Sequence, residues 1–379
     1  MPLALTDLCR HPIVQAPMAG GPSGPELAAA VGEAGGLGHL AAGYKSVDAM
    51  REEIRELRGR TTAAFGVNLF MPQPSAGGAA DAVAAYRDRL APEAARLGVE
   101  FGDPDGSTDD AYEAKVDALL QERVPVVSFT FGCPSRAVLD ALAEAGTRTV
   151  VTVTSPAEAR AAQWSGADAV CVQGFEAGGH RGTHTDDPAE DGTGSPLGLL
   201  SLVAQVRETV QLPIIAAGGL MRGAQIAAVL AAGADMGQLG TAFLLCPESG
   251  ASATHQQALT NPAYTRTAMT RAFSGRPARG LANRFLTEHS DHAPAAYPAV
   301  HYLTSPLRKA AAKAGDADGL HLWAGQGFRQ IRKLPAGQLV RTLAGELAAA
   351  REALAGRAPQ PAAGLPGAPF SARDTAHRP

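Results

Sequence analysis

The chain has no paired cysteines, no basic cluster and no long apolar run, and each gap removes a class of function. Its four cysteines, Cys9, Cys133, Cys171 and Cys246, stand far apart, with neither a disulfide framework nor zinc-ligand spacing. Such usage fits a reducing compartment. Lysine and arginine are scattered through a chain of net charge -4 and pI near 6.2, so nothing marks a surface for nucleic acid or anionic membrane. No stretch approaches the roughly 18 apolar residues of a spanning helix, and the N-terminus lacks a basic segment followed by an apolar one. The expectation is a cytoplasmic protein that acts on small molecules, without nucleic acid, membrane or metal. No dinucleotide fingerprint follows the first apolar run, which argues against an open doubly wound sheet.

What is present is a rhythm. Eight short β-rich runs, at 13–17, 37–42, 65–70, 126–132, 150–154, 169–174, 213–219 and 236–244, are each followed by an alanine-rich stretch of helical periodicity. Strands alternating with helices predict a parallel sheet, and eight such units complete a closed (β/α)8 barrel. The fold class is therefore read as α/β, a TIM barrel with a smaller, mainly helical cap built from insertions. Residues 75–108 after the third strand and 247–330 after the eighth exceed what one helix needs and are assigned to the cap, leaving 1–74 and 109–246 for the barrel. Leucine and valine at helical spacing within 331–356 predict a terminal helix packed on the barrel. The Pro-, Ala-, Gly- and Ser-rich segment 357–379 reads as a disordered tail.

In a barrel, ligands gather where the strands end, and the informative residues fall there. Ala16, Pro17 and Met18 form the turn after the first strand. Asn68 and Gln173 are amides inside otherwise apolar strands, and a buried amide needs partners, either neighbouring backbone or the polar edge of a heterocycle. Gly218 and Gly219 end the seventh strand, while Gln238, Gly240 and Thr241 belong to the eighth, the placement of a phosphate site built from backbone amides. The glycines Gly178 and Gly179 let the main chain approach a ligand closely. His180 beside them, with an intrinsic pKa of about 6.5, is the proton-transfer candidate. Arg181 either depresses that pKa or turns outward; the sequence leaves both open. Phe131, Tyr297 and Tyr302 are candidates for substrate contact, with packing as the alternative. His184 and the acidic run 186–191 read as a mobile rim, and Cys133 and Cys171 as small core residues.

Taken in order, these motifs resemble the nitronate monooxygenase family, formerly the 2-nitropropane dioxygenases, over about residues 10 to 330. The resemblance rests on Gln-Ala-Pro-Met-Ala-Gly-Gly at 15–21, Gly-Val-Asn-Leu-Phe at 66–70 and Ser-Phe-Thr-Phe-Gly-Cys-Pro at 128–134. It continues through Gln-Gly-Phe-Glu-Ala-Gly-Gly-His-Arg-Gly-Thr at 173–183, Ala-Ala-Gly-Gly-Leu-Met-Arg-Gly from 216, Gln-Leu-Gly-Thr-Ala-Phe-Leu from 238 and Arg-Ala-Phe-Ser-Gly-Arg-Pro-Ala-Arg-Gly from 271. It implies non-covalent FMN and oxidation of an alkyl nitronate by O2 to a carbonyl compound and nitrite. Asn68 and Gln173 would then meet the isoalloxazine, with Ala16 to Met18 bordering it and Gly178 and Gly179 passing close. Gly218, Gly219, Gly240 and Thr241 would hold the phosphate, and His180 would be the base or substrate-positioning group. Small-molecule nitronate and O2 are the implied partners, and a homodimer is allowed. Two rivals stand beside this reading. One is an NAD(P)H-dependent flavin reductase of the enoyl-acyl-carrier-protein or quinone type; the other is a barrel that binds flavin or a phosphate ligand without turnover.

Overall fold

The structure, a computed structural model, describes residues 5–73, 79–106, 109–186 and 197–356. The expected tail at 357–379 and the acidic run from 187 onward lie outside the described residues. In chain order the strands are β1 (Ile13–Gln15), β2 (Gly38–Ala41), β3 (Phe65–Phe70), β4 (Val126–Thr130), β5 (Arg148–Val153), β6 (Ala169–Gln173), β7 (Gly179–His180), β8 (Ile214–Ala217), β9 (Met236–Leu239), β10 (Thr267–Thr270) and β11 (Ala278–Leu281). The helices are α1 (Pro25–Glu33), α2 (Val47–Arg60), α3 (Ala80–Leu97), α4 (Tyr112–Glu122), α5 (Arg136–Glu144), α6 (Pro156–Ser165), α7 (Leu199–Thr209), α8 (Gly223–Ala231), α9 (Ala253–Thr260), α10 (Arg284–His289), α11 (Ala299–Ala314) and α12 (Ala336–Ala355).

Eight parallel strands run in the order β1-β9-β8-β6-β5-β4-β3-β2. The two ends meet where the Leu37 amide donates to Ile13 O and the Gln15 amide to Leu37 O, so the sheet is a TIM barrel. Alternation along each strand separates two cores. Val14, Val126, Val150, Cys171 and Ile215 belong to a cluster closed at one end by Leu5, while Val127, Val151, Val170, Val172 and Ile214 pack with the surrounding helices. Serines at the N-caps of α2, α5 and α6 accept from the amide three residues on, which starts each helix sharply after its loop. The parallel register sets Asn68 opposite Ser128, Gln173 opposite Ala217 and Ala217 opposite Gln238, so the polar candidates share one level at the C-terminal ends of the strands.

Several barrel strands are shorter than the sequence pattern suggests. The eighth stops at Leu239 because Gly240 turns the chain into a short 3-10 segment, Thr241–Phe243. Helices α3 and α11 pack together, with Val83, Tyr86 and Leu90 buried against Phe273, Phe285, Val300 and Leu303. This unit also holds strand structure that the helical periodicity hides: β10, β11 and β7 form a three-stranded antiparallel sheet. Helix α12 lies on α8 and α1 with Leu339, Val340, Leu343 and Leu347 buried. None of the helices among the described residues is long and apolar enough to cross a membrane.

Candidate active site

Strand β7 carries His180 and pairs it with Ala278 of β11, so the imidazole is mounted on the small sheet rather than on the barrel itself. Gln173, at the end of β6, fixes that loop from below. Its Nε2 donates to His180 O at 3.0 Å and its Oε1 accepts from the Gly182 amide at 2.8 Å. Gln173 thus uses its amide on backbone, one of the two outcomes open from sequence. Asn68 donates from Nδ2 to Ser128 O, Ser128 Oγ and Thr130 Oγ1, while its Oδ1 has no partner among the described residues.

The His180 Nε2 lies 2.8 Å from Ser274 Oγ, a side chain that is 1% exposed and also accepts from the Arg276 amide. The ring sits among Phe131, Tyr297 and Trp323, with centroids 5.8, 5.8 and 5.5 Å away. Burial first, then the charges of Arg276 and Arg308, pushes its pKa down to about 3, so the imidazole is neutral at pH 7. Arg181 is not the cause. Its guanidinium turns away to Gln173 O and Thr154 O.

The sequence assigns Arg276 and Arg308 no role of their own, although Arg276 lies in the motif from 271 and Arg308 ends a segment, 297–308, that mixes aromatic and basic groups. Arg276 is 1% exposed, donates to Gln73 Oε1 and Thr183, and places its guanidinium carbon 4.2 Å from the centre of the Phe131 ring. Arg308 donates to Thr304 Oγ1 and to His301 O at 2.7 Å. Neither has a carboxylate within ion-pair distance among the described residues. His301 and His321 are also held well below the usual imidazole pKa, by burial and then by Arg308. Among the described residues, the pocket therefore gathers two buried guanidinium groups without a direct carboxylate partner, Asp186 acting on Arg276 only from beyond ion-pair distance.

Tyr44 is a further residue the sequence reading passed over. It stacks on His301 at 3.9 Å, and its hydroxyl lies 3.0 Å from that of Tyr297. Tyr297 and Phe131 both face His180, whereas Tyr302 packs toward Gly106, where a Cβ would come 2.9 Å from its ring. His184 is anchored, with its amide on Glu158 and Nε2 at 2.9 Å from Thr152 O. Asp186 is held by both terminal nitrogens of Arg271. Cys171 accepts from Gln238 and has its thiol pushed up to about 12 by burial, which removes it as a nucleophile.

The remaining candidates form a backbone cradle. Ala16 and Met18 abut Gly240, where a Cβ would sit 3.4 Å from Ala16 Cβ, and the turn containing Pro17 is tied by Ser23 Oγ accepting from the Met18 amide. Gly218 and Gly219, at φ of 128° and 70°, lie against Ala177 and Glu176. The amides of Gly218, Gly219, Gly240 and Thr241 have no acceptor among the described residues. Thr241 Oγ1 accepts from Gly325, and a Cβ at Gly178 would fall 2.5 Å from Gly325 N, so the segment 324–327 closes on the cradle. Its glycines, flanking Gln326, were the missed signal. A Cβ at Gly179 would meet nothing within 4 Å, which leaves open space beside His180.

The model of the family described as nitronate monooxygenase matches residues 3–346. A nitronate monooxygenase of Pseudomonas aeruginosa is 43% identical over 351 residues, covering 89% of this chain and 96% of the relative. A probable nitronate monooxygenase of Staphylococcus aureus is 37% identical, covering 89% and 94%. Among solved structures, nitroalkane oxidase from Streptomyces ansochromogenes superposes with a TM-score of 0.90 at 64% identity, covering 92% of this chain and 99% of that one. FabK from Thermotoga maritima superposes with a TM-score of 0.72 at 29% identity, covering 93% and 98%. The chain is an oxidoreductase and belongs to the nitronate monooxygenase family.

Proposed function

We propose that this chain oxidises alkyl nitronates with O2 to a carbonyl compound and nitrite, with FMN held non-covalently at the barrel mouth. The observation that carries the reading is the pair Arg276 and Arg308, buried guanidinium groups with no carboxylate partner among the described residues, around a neutral His180. A buried cation without a counter-charge is costly unless an anion arrives. A nitronate is such an anion, its charge spread over carbon and the nitro oxygens.

The residues fit a flavin mononucleotide. Four unpartnered amides at Gly218, Gly219, Gly240 and Thr241 would receive its phosphate. Asn68 Oδ1 and the second Nε2 proton of Gln173 would meet the polar edge of the ring, bordered by Ala16 to Met18, with Gly178 and Gly179 allowing close approach. When bound, the flavin supplies the redox chemistry. The side chains of this protein bind, orient and handle the proton.

With a neutral nitroalkane, the α-proton must leave first. We take Ser274 Oγ, with Arg276 O 3.3 Å away for its own proton, as the acceptor of the His180 Nε2 proton, which leaves the lone pair on Nδ1. Nδ1 is the atom that would take the α-proton. A base of pKa about 3 is weak alone. The same guanidinium charges that lower it also stabilise the carbanionic product, which makes the carbon acid stronger. Positive charge toward the substrate comes from these arginines rather than from an imidazolium. With a preformed nitronate the proton step drops out, and His180 only orients. We keep a smaller unit at 75–108 and 247–330, supported by the separate cluster around Phe273, with β7 from the barrel range joining its sheet.

The test is an anaerobic visible spectrum of the purified protein, alone, then with NADH, then with a small nitronate, before O2 is admitted and nitrite assayed. Bleaching by the nitronate but not by NADH, followed by nitrite release, is expected. Bleaching by NADH alone would make the chain a reductase, and failure to bind FMN would sink both.

A further inference from the structure

We propose that Asp110 and Lys115, which lie outside the pocket, are positioning residues that hold Tyr44 against Tyr297 and so set the affinity for substrate. This rests on the reading of the pocket as the nitronate site. The two form an ion pair of 2.7 Å, with the Lys115 side chain 1% exposed. Each end grips the same short piece of chain. Lys115 Nζ donates to Ala42 O at 2.9 Å, and Asp110 Oδ1 accepts from the Tyr44 amide at 3.0 Å. Together they clamp the tripeptide 42–44 on both sides of Gly43, where a Cβ would come 2.4 Å from the Phe70 ring.

That clamp has something to hold. Tyr44 has φ of 66°, in the left-handed region that a tyrosine seldom adopts unless its surroundings impose it. In that conformation its ring stacks on His301 and its hydroxyl reaches 3.0 Å from Tyr297. Tyr297 in turn faces His180 and Phe131. A tyrosine hydroxyl pair can satisfy one proton internally and direct the other at a ligand oxygen. The chain of consequence runs from a charged pair at the start of α4, through the backbone of the β2 loop, to one donor in the pocket. A wall residue held this way acts on binding more than on the reacting atoms.

The experiment is a double-mutant cycle with the nitronate of nitroethane as probe, using flavin-loaded enzyme. Asp110→Ala and Tyr44→Phe should each raise KM by about tenfold, the worth of one hydrogen bond, with kcat changed less than about threefold, and the double variant should be no worse than either. Asp110→Asn, which keeps an oxygen for the Tyr44 amide, should recover much of the loss. Because Asp110→Ala leaves Lys115 buried without its partner, Asp110→Ala with Lys115→Met serves as the second variant. A crystal structure of it should show Tyr44 out of hydrogen-bond reach of Tyr297. Additive effects in the cycle, or Tyr44 unmoved in that structure, would overturn the proposal. A wild type that oxidises no nitronate would instead overturn the functional reading, and the position of Tyr44 would still decide this one.

Discussion

Nε2 of His180 lies 2.8 Å from Oγ of Ser274, so one nitrogen of the imidazole is occupied before any substrate arrives. The serine is itself fixed by the Arg276 backbone, whose amide donates to Oγ. Ser274→Ala frees the ring to turn and removes the group that selects its tautomer. Turnover of a neutral nitroalkane should fall by about 10- to 100-fold, the scale of a misplaced reacting group, while turnover of the preformed nitronate stays near wild type. Equal losses on both substrates would remove the proton-transfer role assigned to the pair.

His180→Gln takes the argument further, because glutamine keeps polarity but cannot accept the α-proton at neutral pH. Nitroalkane turnover should drop by about 10²- to 10⁴-fold, the usual worth of a positioned base. Nitronate oxidation should survive within about tenfold, as Arg276 and Arg308 remain to hold the anion. The comparison of the two substrates, rather than either rate alone, checks the assignment.

Arg276 is one of the charges that depress His180, after burial itself. Arg276→Gln should therefore raise the imidazole pKa from about 3, while burial and Arg308 still hold it below its ordinary value. Since the base must be neutral to act, the acidic limb of kcat/KM for a nitroalkane should move to higher pH than in the wild type. NMR titration of His180 in both proteins tests the cause directly, and an unmoved resonance would mean that burial alone controls the group.

Much of this site was legible from residue order, and the reasons are physical. Glycines at 178, 179, 218 and 219 stand out because the chain must turn or pass close to other backbone there, and Asn68 and Gln173 stand out as polar groups in apolar strands. His180 was flagged by its neighbours. Arg276, Arg308, Ser274 and Tyr44 were not, because their roles arise from contacts across long sequence distances: Arg276 reaches Gln73 and Tyr44 reaches Tyr297. No local pattern encodes such a meeting. The small sheet was missed for a related reason, since β7 has two residues and gains strand character only by pairing with β11.

Gly223 begins α8 directly beneath α12. A Cβ there would come 2.3 Å from Leu343 O and 2.4 Å from Leu347 N, both backbone atoms that cannot swing aside. Gly223→Ala should push the helices apart and cost about 1–3 kcal/mol, as overpacking does. Gly345, on the same α12 but with nothing within 4 Å, is the control. Gly345→Ala should stabilise by about 0.5–1 kcal/mol through helix propensity. Urea unfolding of the two variants checks both signs.

Acid should destabilise the fold as the pH falls below about 6.5, because His39 and His255 are buried and neutral. Burial pulls each down to about 4 in the folded chain, only partly offset by backbone hydrogen bonds. The unfolded chain protonates these side chains near about pH 6.5. Below that value the unfolded state binds protons that the native state refuses, so their contribution is intact above about pH 6.5 and is lost as the pH falls toward 4. Each group should add about 1.4 kcal/mol per pH unit to the slope within that window. His255, whose Nε2 lies 3.1 Å from Trp323 O, is the better one to change, since His39 is wedged against Gly66 with a would-be Cβ 2.3 Å from its ring. His255→Gln can still donate to Trp323 O but does not titrate. Its unfolding free energy should fall less steeply between pH 6.5 and 4 by one proton's worth, and an unchanged slope would mean that His255 protonates in place without cost.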